Sequence, residues 1–391
     1  MPDTGTDTMT DSDTTLLRQD DVPASPAQGR SWLPVAFAAI ALALIAAGAG
    51  WWFLNSRETI PEWDRLPALD LAAPAGDAFR GDTPWVNLRL MTARPGEENV
   101  FRVQITPRTR PATPVPMSAP PARITSLTAR PLSSEPASAE TLALQPDSET
   151  AGAFVASSRL DQAGWWRLSV EVDGAEHAAE FYLLLPDPNL NGPTGILDSG
   201  SSPEGEALFR RGVEALTRLR DVRFTQWIAD GRGNAAVSAH AVTAGDEDGP
   251  PGFSYRAVGG MEAIIIGSTR WIRLPGDLNW EEQEGATVVL PSEWDEEYTG
   301  ATGFTILGEE TIDGERCQLL AFVVPELTEP RRQTVAWYLW WVGEETGYVR
   351  KEAMVSRLHY MHNAFGDFDV PIMLSPPQEA ATPVATGTSV S

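Results

Sequence analysis

The chain has one cysteine, four histidines and only 29 basic residues against 54 acidic ones. A single thiol, Cys317, excludes an intramolecular disulfide framework and any zinc or iron–sulfur site built from several thiolates. It also excludes a lipid anchor on a cysteine behind the N-terminal apolar segment, since no cysteine stands there. A formal net charge of −25 leaves no surface for neutralising phosphates, so we expect no nucleic-acid partner. The same charge opposes adhesion of the folded part to anionic lipid. Walker loop, H-E-x-x-H, G-x-S-x-G and Rossmann fingerprint are all missing. We therefore predict no enzyme and no cofactor.

Turn formers and tryptophan are plentiful, with 33 Gly, 32 Pro and 14 Trp. That composition fits short strands and turns better than long helices. Residues 1–30, rich in Thr, Asp, Pro and Ser, read as a disordered tail. Trp32 to Leu54 holds no charge and is dominated by Ala, Leu, Ile, Phe and Trp. About 20 apolar residues cross a bilayer, so 31–55 is predicted to be a single transmembrane helix with aromatic residues at both ends. A cleaved signal peptide is the rival reading, through Ala47-Gly48-Ala49, but a long acidic leader precedes the apolar core. Arg30 and Arg57 flank the span evenly and do not set its orientation.

After a linker from Glu58 to Pro74, alternating runs begin at Trp85–Leu90 and Asn99–Ile105. Further strands are predicted around Ile124–Ala129, Thr141–Leu144, Ala153–Ser157, Trp165–Val172 and Ala178–Leu184. Such a series over 75–186 suggests a β-sandwich. A second linker, 187–202, ends at Ser202-Pro203-Glu204, an N-cap, first-turn proline and first-turn acid. Phe209, Val213, Leu216 and Leu219 then recur at helical spacing. From Val222 the pattern is a β-meander, with hairpin signals at Asp230-Gly231, Gly259-Gly260 and Asp313-Gly314 and one long strand from Tyr348 to Met361. Residues 377–391 read as a disordered tail. The fold class expected is all-β with one amphipathic helix and one membrane span.

Two stretches resemble known families. Residues 203–376 resemble the half-barrel family of bacterial lipoprotein carriers and their mycobacterial-type lipoprotein relatives. The resemblance lies in an order of features: the helix Ala207–Arg220, Val222-Arg223-Phe224, Glu262–Gly267 with Trp271, Gly308–Gly314, and Trp340-Trp341-Val342 before Thr346-Gly347 and the strand Glu352–Met361. It implies a curved sheet around a helix, an apolar cavity for acyl chains between them, and a location outside the cytoplasmic membrane. Phe224, Trp227, Ile264, Ile266, Trp271, Trp337, Leu339, Trp341, Met354, Leu358 and Tyr360 are the residues expected to line that cavity; a solid core of the same residues is the other possibility.

Residues 75–186 resemble a small Ig-like family found with copper-resistance and cytochrome-assembly proteins, through Arg94-Pro95-Gly96-Glu97-Glu98-Asn99-Val100-Phe101 and Gly164-Trp165-Trp166-Arg167-Leu168-Ser169-Val170. A copper-binding member would offer several His and Met, whereas this segment holds His177, Met91 and Met117. His359, Met361 and His362 form the only other metal-like set. On a strand His359 and His362 point to opposite faces, which works against a shared ion. The acidic runs Asp246–Asp248, Glu281–Glu284 and Asp295–Glu297 read as solvated loops. The function expected is a membrane-anchored, extracytoplasmic binding protein for lipid or another hydrophobic ligand. An envelope sensor or interaction protein, or a copper-homeostasis accessory, is the alternative, with the protein partner unknown.

Overall fold

A computed structural model describes residues 68–106, 123–133, 139–148, 150–192, 200–245, 249–326 and 334–378. The apolar stretch Trp32–Leu54, Met117, Asp246–Asp248 and both predicted tails lie outside these residues, apart from Pro377 and Gln378 of the C-terminal one. Among the described residues no helix is long and apolar enough to cross a membrane.

The first half builds two antiparallel sheets. One runs β1 (Ala68–Pro74), β2 (Trp85–Met91), β3 (Glu98–Thr106), β7 (Ala153–Arg159) and β6 (Gln145–Pro146). The other runs β5 (Glu140–Leu142), β4 (Ile124–Pro131), β8 (Gly164–Val172) and β9 (Ala179–Leu185). Alternation places Leu88, Leu90, Phe101 and Val103 of the first sheet in one core with Leu127, Leu168, Val170 and Phe181 of the second. The stretch expected as linker up to Pro74 is in part a strand: β1 pairs with β2 along its whole length. Its alternation, Leu69 and Leu71 against Asp70, was readable but is interrupted by Ala72-Ala73.

Short helix α1 (Pro188–Asn191) occupies the start of the expected second linker. Asp187 caps it, accepting from the backbone N–H of Asn189 and Leu190 at 2.9 and 3.1 Å. Helix α2 (Pro203–Arg218) begins as the sequence predicts: the Ser202 hydroxyl accepts from Gly205 N–H at 2.9 Å, with Pro203 in the first turn.

An eleven-stranded antiparallel sheet follows. Its strands are β10 (Asp221–Ala229), β11 (Ala235–Thr243), β12 (Gly252–Ala257), β13 (Glu262–Ile266), β14 (Thr269–Arg273), β15 (Glu281–Glu284), β16 (Thr302–Ile312), β17 (Glu315–Val324), β18 (Ala336–Gly343), β19 (Val349–Ser356) and β20 (His359–Gly366). The spatial order is 15-14-13-12-11-10-20-19-18-17-16. Two sequence readings change here. The run Tyr348–Met361 is two strands, because Leu358 takes a left-handed φ of 53° and turns the chain back. β20 thereby pairs with β10 and joins the two halves of the sheet. The acidic run Glu281–Glu284 is an edge strand, where charge discourages pairing with another chain.

Both faces of this sheet are covered at β18, which explains why that strand is apolar at every position. Trp337, Leu339, Trp341, Cys317, Leu319, Ala353 and Val355 join the core of the two small sheets. Tyr338, Trp340, Val342, Leu320 and Phe322 pack instead with α2. Polar contacts fasten the sandwich to the large sheet. The Trp227 indole donates to Ala72 C=O at 2.7 Å, Tyr360 O–H donates to Asp187 at 2.8 Å, and Arg130 and Arg167 meet Glu310. The β10–β11 hairpin also hydrogen-bonds to β1 through Asp70, Gly231 and Gly233 at 2.9 Å.

Candidate functional site

The helix-side face of the large sheet has two unlike halves. Over β16–β19 it is filled. Phe209 of α2 stacks on Trp340 with ring centroids 5.5 Å apart and meets Phe304 at 4.6 Å and Phe322 at 5.0 Å. Close approach is possible because Gly205 and Gly212 face the sheet. A Cβ on Gly205 would lie 2.7 Å from Phe304 C=O, and one on Gly212 3.0 Å from the Trp340 ring.

Beneath this aromatic layer lies one buried carboxylate. Glu352 accepts from the Trp340 indole and Tyr298 hydroxyl, both at 2.8 Å, and from the Asn363 amide at 3.0 Å. Burial raises its pKa, and these three donors restrain the rise. Tyr298 belongs to a 3-10 helix, Pro291–Tyr298, which roofs the sheet beside α2.

Over β10–β14 α2 makes no comparable cover. Direct cross-strand partners share a face, so the registers define two rows on the helix side. One is Phe365–Phe224–His240–Tyr255–Ala263–Ile272. The other is Val222–Val242–Phe253–Ile265–Arg270–Gln283. Phe224, His240, Phe253, Tyr255, Arg270 and Ile272 are only partly buried. The Phe224 and His240 rings stack at 4.3 Å, and Trp294 of the 3-10 helix stands edge-on to Phe224 at 6.0 Å. Ser238 hydrogen-bonds His240 Nε2 at 2.8 Å. Burial depresses the His240 pKa to about 3, so the ring is neutral in ordinary conditions. The result is a half-roofed aromatic groove with a few polar groups, the composition of a site for an apolar ligand.

Arg270, at the edge of this groove, stands apart from the other arginines. Each remaining buried or partly buried arginine among the described residues meets a carboxylate. Arg89 pairs with Asp70, Arg102 with Asp147, Arg130 and Arg167 with Glu310, Arg223 with Asp367, Arg273 with Glu262 and Arg350 with Glu315. Arg270 donates only to the Gln283 amide oxygen, and its buried Nε has no acceptor.

The eleven residues predicted to line a cavity do not share one space. Phe224 and Met354 lie on the helix side. Trp227, Trp337, Leu339, Trp341 and Tyr360 face the sandwich core. Ile264, Ile266 and Trp271 are on that opposite face by register, and Leu358 sits exposed in a turn. Period-two patterning finds a face but cannot say which face the helix covers; here most of the chosen residues carry the wrong parity. His240, Phe253, Tyr255 and Arg270 were missed because Ser238-Ala239-His240 and Ser254-Tyr255-Arg256 look solvent-facing in sequence.

A second recess, a cavity of about 100 Å³, opens where β9 meets β18–β20, lined by Glu180, Tyr182, Trp341, Lys351 and His362. That is far below the roughly 300–1,000 Å³ of small-molecule sites. His362 stacks on Trp227 at 4.9 Å, its Nδ1 is buried without a partner, and burial lowers its pKa to about 4. His359 and Met361 lie on the other face of β20 from His362. Among the described residues no three His, Cys, Asp or Glu side chains gather as metal ligands. Cys317 is buried, and desolvation raises its thiol pKa to about 11, so it does not present a thiolate.

A scan against protein-family models and a search of curated proteins each returned no match. Solved structures do resemble the C-terminal half of the chain. The lipoprotein LppX of Mycobacterium tuberculosis is 15% identical with a TM-score of 0.34, over 45% of this chain and 100% of that one. LprF of Mycobacterium bovis is 13% identical with a TM-score of 0.35, over 46% and 99%. A DUF1329 family protein from Desulfovibrio piger is 13% identical with a TM-score of 0.24, over 45% and 96%.

Proposed function

We propose that the chain is an extracytoplasmic binding protein that holds a hydrophobic ligand in the half-roofed groove over β10–β14, tethered to the membrane by Trp32–Leu54. One observation carries the reading. Aromatic side chains in two adjacent rows of a core-forming face, Phe224, His240 and Tyr255 in one and Phe253 in the other, are left partly open where α2 ends its cover. Apolar area withdrawn from water contributes about 25 cal/mol per Å², so an acyl chain laid on such a surface binds by burial alone. The filled half under α2, with Phe209 against Trp340, contributes rigidity and not ligand space. The test is photolabelling of membranes holding the full chain with a diazirine-bearing hexadecanoate. Label on peptides from 221–273 and 286–301 is the expected result. Label confined to residues 32–54, or no label, refutes the groove.

A further inference from the structure

We propose that Arg270 is the anchor for an anionic headgroup, a carboxylate or a phosphate, at the end of an acyl chain lying over the partly exposed rings of Phe253 and Tyr255. The inference rests on the groove reading above and adds the chemical class of its ligand. Three observations meet at this residue. Its register with Ile265 places it on the helix-side face, directly continuing the apolar row. It is the one partly buried arginine of the described residues whose only partner is a neutral amide. Its Nε is buried and donates to nothing. A partly buried guanidinium with no counter-charge and one N–H unpaired carries a desolvation cost that a bound anion would offset. Exposed Glu281 reaches it only indirectly, by accepting from the Gln283 amide at 2.8 Å.

The chain of the ligand then runs inward over Phe253 toward Phe224 and His240, and the headgroup stays at the rim where water can reach its remaining lone pairs.

Equilibrium binding of radiolabelled hexadecanoate, hexadecyl phosphate and hexadecanol to the full chain in phosphatidylcholine nanodiscs at pH 8 tests this, with empty nanodiscs subtracted. We expect one or both anions to bind about 10- to 100-fold more tightly than the alcohol. The better of the two names the headgroup. Arg270→Gln should abolish the preference, and a circular-dichroism spectrum matching that of the native chain reports a folded variant. Arg270→Lys should keep most of the preference. Equal binding of all three by the native chain, or a preference that survives Arg270→Gln, overturns the anchor and leaves the groove standing. Failure of all three to bind removes the groove and the anchor together.

Discussion

Replacing Glu352 separates two roles of a buried carboxylate, and the structure sets the size of each. In Glu352→Ala the Trp340 indole, fully buried, and the Tyr298 hydroxyl lose their acceptor, as does the Asn363 amide. Each orphaned donor costs about 1–3 kcal/mol. Relief of the buried carboxylate's own desolvation offsets part of this, leaving a net loss of about 3–5 kcal/mol. Glu352→Gln behaves differently. Its carbonyl still accepts from Trp340 and Tyr298. Its amide can face Asn363, whose Oδ1 is buried and unpartnered and becomes the acceptor once that side chain turns over. Burial raises the Glu352 pKa in the folded state, so the folded state favours the protonated form. Its contribution is fully present below the unfolded pKa and is lost as pH rises through the folded value. The Gln variant lacks this loss, so its stability relative to the native chain should increase between pH 4 and pH 8. Urea midpoints followed by tryptophan fluorescence measure both effects. An Ala variant as stable as the native chain, or a Gln-to-native difference that is constant with pH, refutes the account of this network.

Other substitutions address the remaining supports. Gly205→Ala should cost about 1–3 kcal/mol, because its Cβ meets the Phe304 carbonyl oxygen and α2 must shift; thermal melting reads this out. Glu310→Ala removes the shared partner of Arg130 and Arg167 between sandwich and large sheet, at about 2 kcal/mol, and should speed proteolysis of the chain around 187–202. His362, depressed to about 4 by burial, contributes stability present above its unfolded pKa of about 6.5 and lost as pH falls toward 4, roughly 2 kcal/mol by pH 5. His362→Phe keeps a ring against Trp227 and should remove that acid sensitivity in urea titrations at pH 7 and 5. Asp187, raised to about 6, acts in the opposite sense: its contribution is present below pH 4 and fades as pH rises through 6. Asp187→Asn, which retains a helix cap, should flatten that segment of the profile.

Strand existence was largely legible in the sequence, and so was the start of α2, because alternation and capping are local signals. Trp165–Val172, predicted as a strand, lies within β8 (Gly164–Val172), and Ser202 is the N-cap. What was not legible depends on contacts between distant parts. Leu358 reads as one more apolar position in a strand, yet it is a turn, because β20 must reverse to pair with β10. The all-apolar β18 signals two covered faces without saying which residue meets α2 and which meets the sandwich. Trp340 and Trp341 therefore look interchangeable in sequence, although one stacks on Phe209 and the other donates to Glu310 at 2.9 Å. Arg270 is equally anonymous in sequence, and its lack of a carboxylate appears only beside the paired arginines.

The groove itself is tested most directly by placing p-benzoylphenylalanine, in the full chain within its membrane, at Phe253 or at Ile266. These positions lie on paired neighbouring strands but on opposite faces of the large sheet. Irradiation followed by mass spectrometry should give a lipid adduct at 253 and none at 266. Adducts of equal yield at both positions, or none at 253, would contradict the account.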